Sequence, residues 1–275
     1  MRTVRKENRR SGMKDTREEW YDAALKVAVT FADVTTPAQE LARAHLSGPV
    51  GAHYLAEALA AVALLGAETS LDGEVVSLQM KCTGPLGGVN VECSRDGALR
   101  GYTEKKIFDD FDGMGTPKDE EILGERRYQV TRSVPGRIVS QGIAASLDDY
   151  FVSSLQRRAR IFIEVSVNDE VEVLQARALL VEALPDSDFQ IETLTVPQLS
   201  VSPRTTLSRL GLRGAEPKGS QPLRFACRCS PERAAAMLSA MDESERSTLP
   251  EKIDITCHMC GRTFTVATGS GGAAR

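Results

Sequence analysis

Four of the six cysteines fall in two short clusters, Cys227-Arg228-Cys229 and Cys257-His258-Met259-Cys260, with residues 230 to 256 between them. Four soft thiolates at tetrahedral corners suit Zn²⁺, with Zn–S bonds of about 2.3 Å. The clusters meet only if the intervening chain folds back on itself, so the C-terminal stretch is expected to be a compact unit holding one zinc ion through Cys227, Cys229, Cys257 and Cys260. Met1 to Glu19 mixes Arg and Lys with Glu and Asp and lacks the apolar stretch of a secretory signal. A cytoplasmic setting is therefore expected, where thiols stay reduced and metal or redox chemistry is favoured over structural disulfides.

The residues between the clusters read as structure. Ser230-Pro231-Glu232 is a helix start with an acidic first turn, and Ala234 to Met241 should turn Met237, Leu238 and Met241 inward. Lys252 to Thr256 and Arg262 to Val266 alternate like strands, which puts each cysteine cluster at a strand end. A unit of about 45 residues buries too little surface to fold alone, and zinc would contribute on the order of 10 kcal/mol. A permanent zinc ribbon is the commonest use of four cysteines. The Cys-Xaa-Cys half argues instead for a switch, because a loop that short closes only a strained, easily reduced disulfide. Oxidation would strip the metal of its ligands, unfold the unit and uncover apolar surface beneath the preceding segment.

A chain of 275 residues exceeds one typical domain, so unequal units are expected. Thr36-Pro37-Ala38-Gln39 should start a helix that stops before Gly48-Pro49, and a second helix from Gly51 to Leu65, apolar on nearly every face, marks a buried core. Glu57 and Gly66 keep that run short of a membrane span. Val75 to Cys82, the Gly84 to Gly88 turn and Val89 to Cys93 read as a hairpin. Further strands are expected at Arg127 to Arg132, Gly136 to Ser140 and Ile161 to Val167, with a helix near Ala144 to Leu155. The fold class is α+β: a large N-terminal domain with antiparallel sheet and buried helices, a flexible linker, and the small zinc module. The expected boundaries are a disordered tail over 1–20, the core domain over 21–184, the linker over 185–222 and the module over 223–268. Leucines at 199, 207, 210 and 212 mark the linker as a segment that docks on something apolar.

The residues around the cysteines, Phe225-Ala226-Cys227-Arg228-Cys229-Ser230 and Cys257-His258-Met259-Cys260, resemble the heat shock protein 33 family, the redox-regulated 33 kDa chaperonins. Leu78-Gln79, Thr83-Gly84-Pro85-Leu86, Arg100-Gly101-Tyr102, Leu147-Asp148-Asp149-Tyr150-Phe151 and Ala183-Leu184-Pro185 are similar to family motifs in the same order. The likeness covers about residues 23 to 266. It implies an ATP-independent holdase that is inactive and zinc-bound when reduced. When oxidised it releases zinc, pairs Cys227 with Cys229 and Cys257 with Cys260, forms a homodimer and binds unfolding client proteins. Ser153-Ser154-Leu155-Gln156 departs from the family's usual continuation, and the stretch from Pro185 to Pro222 looks more broken than the family's helical linker. No Gly-rich phosphate loop is found, consistent with a chaperone that needs no ATP, and no catalytic constellation points to an enzyme.

Other residues have plainer readings. Cys82 and Cys93, at hairpin strand ends, read as small apolar residues or as an oxidation-dependent pair. His258 reads as an exposed turn residue, His45 and His53 as structural, and Asp109, Asp110 and Asp112 beside Gly113 and Gly115 as a solvated turn. Two other functions compete with the chaperone. A zinc ribbon binding nucleic acid or protein would want a basic stripe, but acidic and basic residues nearly cancel over 223–275, and the whole chain carries a net charge of -4. A thiol oxidoreductase would want Cys257 to Cys260 between a strand and a long helix, which Gly261 and the β-type run after it do not provide. Neither nucleic acid nor membrane is expected as a partner.

Overall fold

The computed structural model describes residues 15–114, 117–195, 198–200 and 202–268. In chain order come β1 (Thr16–Asp22), β2 (Val27–Asp33), α1 (Thr35–Ala44), α2 (Pro49–Leu65), β3 (Val75–Cys82), β4 (Gly88–Ser94), β5 (Ala98–Thr103) and α3 (Asp119–Ile122). They are followed by β6 (Arg126–Val134), β7 (Arg137–Ala144), α4 (Leu147–Asp149), β8 (Arg158–Val167), β9 (Val173–Ala183) and α5 (Pro203–Arg209). The C-terminal part holds β10 (Glu216–Pro222), β11 (Arg224–Phe225), α6 (Pro231–Ser239), α7 (Glu243–Arg246), β12 (Lys252–Thr256) and β13 (Thr263–Ala267). This is an α+β fold with antiparallel sheets, as the sequence indicates.

Two large sheets enclose α2. One runs β10-β1-β2-β9-β8 and the other β11-β5-β4-β3-β6-β7, with β12 and β13 forming a separate hairpin. Leu55, Leu59, Leu64 and Leu65 of α2 are wholly enclosed with Val76, Leu78, Val91 and Ala178 from the two sheets. Alternation on β3 and β4 puts Val76, Leu78, Val89 and Val91 inward and leaves Ser77, Gln79, Asn90 and Glu92 on the outer face. The segment Pro49–Glu68 is 20 residues with mean hydropathy 1.5, long and apolar enough to cross a membrane by those measures, contrary to the sequence reading. Its apolar window is 78% buried inside the protein, which makes it a core helix.

Helix α1 starts at Thr35, and its first N–H groups are satisfied from outside it: the Asp33 carboxylate accepts from the Thr35 amide and the Asp15 carboxylate from the Thr36 amide. Asp112 accepts from the amides of Val50 and Phe108, at 3.0 and 2.7 Å, so it anchors the start of α2 instead of sitting in a solvated turn. Asp109 and Asp110 are exposed, and Gly115 lies outside the described residues. The helix expected over Ala144 to Leu155 shrinks to α4 and a π-helical turn at Tyr150–Ser154. Ala144 is held in β7 opposite Tyr128, and Gln156 adopts φ +55°, which leaves a long helix no room at either end.

The stretch from 185 to 222 is packed rather than loose over its described residues. Leu199, Leu207 and Leu212 are buried with Trp20, Phe31 and Phe162 on the face of the five-stranded sheet that points away from α2. Leu199 is held at both backbone groups: its N–H donates to Glu164 at 2.6 Å, and its carbonyl accepts from Arg177 at 3.2 Å. The segment ends as β10, paired antiparallel with β1. Strand β1 begins within the stretch 1–20 expected as a tail, whose first fourteen residues lie outside those described, and runs on to Asp22. TREEWYD has too few apolar positions to signal a strand, and a backbone ladder on each side holds it in place.

Candidate metal centre

The second cysteine cluster is a turn fixed by backbone bonds, and the first lies in irregular chain between β11 and α6. Cys257 accepts from the amides of Cys260 and Gly261, and its own amide donates to Arg262 at 2.9 Å, closing the second turn between β12 and β13. Ser230 caps α6 by accepting from the Arg233 amide, which fixes the chain just after Cys229. Gly261 has φ +70°, and a Cβ there would come within 2.3 Å of the Ala44 carbonyl at the end of α1, so both conformation and space require glycine.

The structure brings all four sequence-assigned thiols together. Their Sγ atoms lie within 4.8 Å of one another, with Cys227 to Cys257 at 3.8 Å and Cys229 to Cys260 at 3.4 Å. A tetrahedron with bonds of about 2.3 Å has edges of about 3.8 Å, so the donor set and its spacing fit a four-thiolate metal site. Burial pushes the Cys227 thiol up, but hydrogen bonds from the Cys229 amide, the Arg100 guanidinium and neighbouring thiols outweigh it and bring it down to about 7. Burial and the adjoining sulfurs raise the Cys229 thiol, and burial raises that of Cys260. Cys227, beside the Arg100 cation, is thus set apart from Cys229 and Cys260, whose thiols shift the other way.

The module's own core is small: Ala234, Leu238 and Val266 are its buried residues. Met237 is 67% exposed and Met241 36%, which corrects their inward placement; Leu238 is buried as the sequence indicates, and Ala234 joins it. The cysteine turns lean on the large domain. Cys260 is buried in the main core, with Phe225, Cys227, Cys229 and Cys257 packed against it. Arg224 and Phe225 pair in parallel with Ala98 and Leu99 of β5, Arg224 also pairs with Asp96, and the Ala226 amide donates to the Leu99 carbonyl. The Gly101 amide donates to the Met259 carbonyl at 3.0 Å. The buried His45, its pKa lowered by desolvation, places Nε2 2.8 Å from the Gly101 carbonyl, where the neutral ring donates. Arg100 reaches Cys227 at 3.7 Å and pairs with Glu92, which also meets Arg228.

Thus Arg100-Gly101-Tyr102, read in the sequence only as a family motif, is the seat of the metal centre. Its role was hidden because nothing near Arg100 in sequence is a ligand. His258 is exposed and set edge-on to Tyr102 at 5.8 Å. His53, on α2, lies outside the cluster. Cys82 and Cys93 do not face each other: Cys93 pairs with Val76, six residues up β3 from Cys82, about 20 Å away. A largely enclosed acid lies away from the cysteine cluster. Glu57 lines a cavity of about 50 Å³ with Tyr54, Leu78, Met80 and Tyr128, and burial followed by the nearby Asp119 charge pushes its carboxyl up to about 7.

The family model described as "Hsp33 protein" matches residues 19–267. The chain belongs to the Hsp33 family. A 33 kDa chaperonin of Symbiobacterium thermophilum is 30% identical over 261 residues, covering 85% of this chain and 88% of that protein. One from Thermus thermophilus is 28% identical, covering 86% and 79%. The crystal structure of the Thermotoga maritima Hsp33 homologue superposes with a TM-score of 0.79 at 18% identity, over 93% of this chain and 96% of that one, and so shares the fold. Relatives in this family carry the name chaperonin, and Hsp33 membership assigns the chain to the chaperones. The four-cysteine cluster and the strand it rests on are therefore features of a chaperone fold.

Proposed function

We propose that this chain is an ATP-independent holdase switched by oxidation, with one Zn²⁺ held by Cys227, Cys229, Cys257 and Cys260 in the reduced state. The observation that carries this reading is that four thiols within 4.8 Å sit on a module with only three buried core residues of its own. Such a unit depends on its metal for shape, so losing the ligands costs it the fold. Bound zinc supplies charge and geometry for the site and no redox chemistry. Cys227, Cys229 and Cys257 are partly accessible, so oxidant can reach the site.

Oxidation pairs Cys227 with Cys229 and Cys257 with Cys260. Each pair yields two electrons to a peroxide, which leaves as two waters, and the sulfurs no longer bind metal. The chain that follows β10 then loses its anchor on β5, and the connector, whose leucines cover apolar residues of the five-stranded sheet, comes away with it. That surface binds unfolding polypeptides, and the oxidised form associates as a homodimer in the cytoplasm. A light-scattering assay with a thermally unfolding client, run alongside a chromophoric zinc chelator, tests this. Aggregation should be suppressed only after peroxide, with release of about one zinc per chain, and return on thiol reduction. Equal suppression in both states overturns the switch.

A further inference from the structure

Strand β5 spans six residues, but its outer edge is covered by makeshift partners. Strand β11 pairs with only Ala98 and Leu99, and the remaining edge groups go to unrelated places. The Gly97 carbonyl accepts from Arg224, the Leu99 carbonyl from Ala226, the Gly101 amide donates to Met259, and the Gly101 carbonyl faces His45. Three of these four partners belong to the two cysteine turns or the strand leading into them. An edge strand left open is a template for another chain, and proteins cover such edges. Here the cover is a metal-dependent unit with little core of its own.

We propose that the β5 edge is a client-docking site, closed in the metal-bound state by the cysteine turns and opened when the metal leaves, so that an extended segment of an unfolding polypeptide adds to the sheet as a strand. This rests on the proposed chaperone function and adds a strand-pairing contact for the client to the apolar surface beneath the connector. Departure of the turns frees the Gly97 and Leu99 carbonyls and the Gly101 amide in strand spacing. It also vacates the half-buried position of Phe225 against the main core and the place of His258 beside Tyr102. The chain already shows the binding mode, because Arg224–Phe225 occupies the edge as a strand with an apolar side chain packed inward. Main-chain hydrogen bonds carry the pairing and do not read side chains, so the site suits extended segments of varied sequence with an apolar residue at alternate positions.

Hydrogen exchange with mass spectrometry on the full chain tests this in three states: reduced with zinc, peroxide-treated and zinc-free, and zinc-free with reduced carboxymethylated lactalbumin as a permanently unfolded probe. The peptide covering 97–103 should exchange at least about tenfold faster after zinc loss and regain protection with the probe. Protection retained after zinc loss, or no protection gained from bound probe, overturns the edge as the docking site. Protection that returns without probe and grows with protein concentration shows a second copy on the edge and also overturns it. Client suppression by light scattering is read on the same samples: if suppression is absent, the chaperone reading itself fails, and if suppression is present without protection of 97–103, only this inference does.

Discussion

Thirteen of the seventeen residues of α2 are buried, whereas the cysteine module turns only Ala234, Leu238 and Val266 into a core of its own. The large domain holds its shape by removing apolar surface from water, a force spread over dozens of side chains and indifferent to the loss of any one bond. The module holds its shape through four sulfur atoms and a handful of backbone bonds to β5. The first arrangement gives way only when heat or denaturant outweighs that whole burial term. In the proposed switch the second is lost when its ligands change chemical state, so that it serves as a detector where the first is a scaffold.

The largest effect separating the two is metal removal. Stripping the ion by chelation should melt residues 230–268, forfeiting on the order of 10 kcal/mol of module stability, while the unfolding transition of the large domain persists in circular dichroism and exchange. A module that stays protected without its ion erases the contrast. Next comes Leu59→Ala, at a side chain with no exposure in the α2 core. It should cost about 3 kcal/mol of large-domain stability in urea titration, with zinc content per chain unchanged. A fall in zinc content would show the two regions to be one cooperative unit.

The last effect, which vanishes at low pH, probes the acid that α2 itself carries. Glu57 ionises near its ordinary 4.5 when unfolded and at about 7 when folded. Below pH 4.5 it is protonated in both states and costs nothing. Between 4.5 and 7 the unfolded chain loses its proton first, so stability falls as pH rises, and above 7 the penalty is constant. Glu57→Gln should therefore raise stability by about 3 kcal/mol at pH 8 and leave it unchanged below pH 4.5. Equal effects at both pH values would assign the change to packing.

Much of this was legible in the residues. The spacing of Cys227, Cys229, Cys257 and Cys260 names a four-sulfur cluster because ligand chemistry is local and discrete. The apolar run of α2, interrupted only by His53 and Glu57, announces a core, and period-two alternation locates β3 and β4. Strand β1 was illegible because its ladder partners, not its side chains, hold it. The acids capping α1 and α2 were illegible for a like reason: Asp33 and Asp112 act on helices they do not belong to.

The sequence by itself determined which atoms meet at the cysteine cluster and which helix lies innermost, since valence and hydrophobic patterning are written in consecutive residues. Only the tertiary structure decided where the cluster rests. The alignment of Gly97, Leu99 and Gly101 with Arg224, Ala226 and Met259 joins segments more than a hundred residues apart, and backbone hydrogen bonds carry no side-chain signature by which such a pairing could be read.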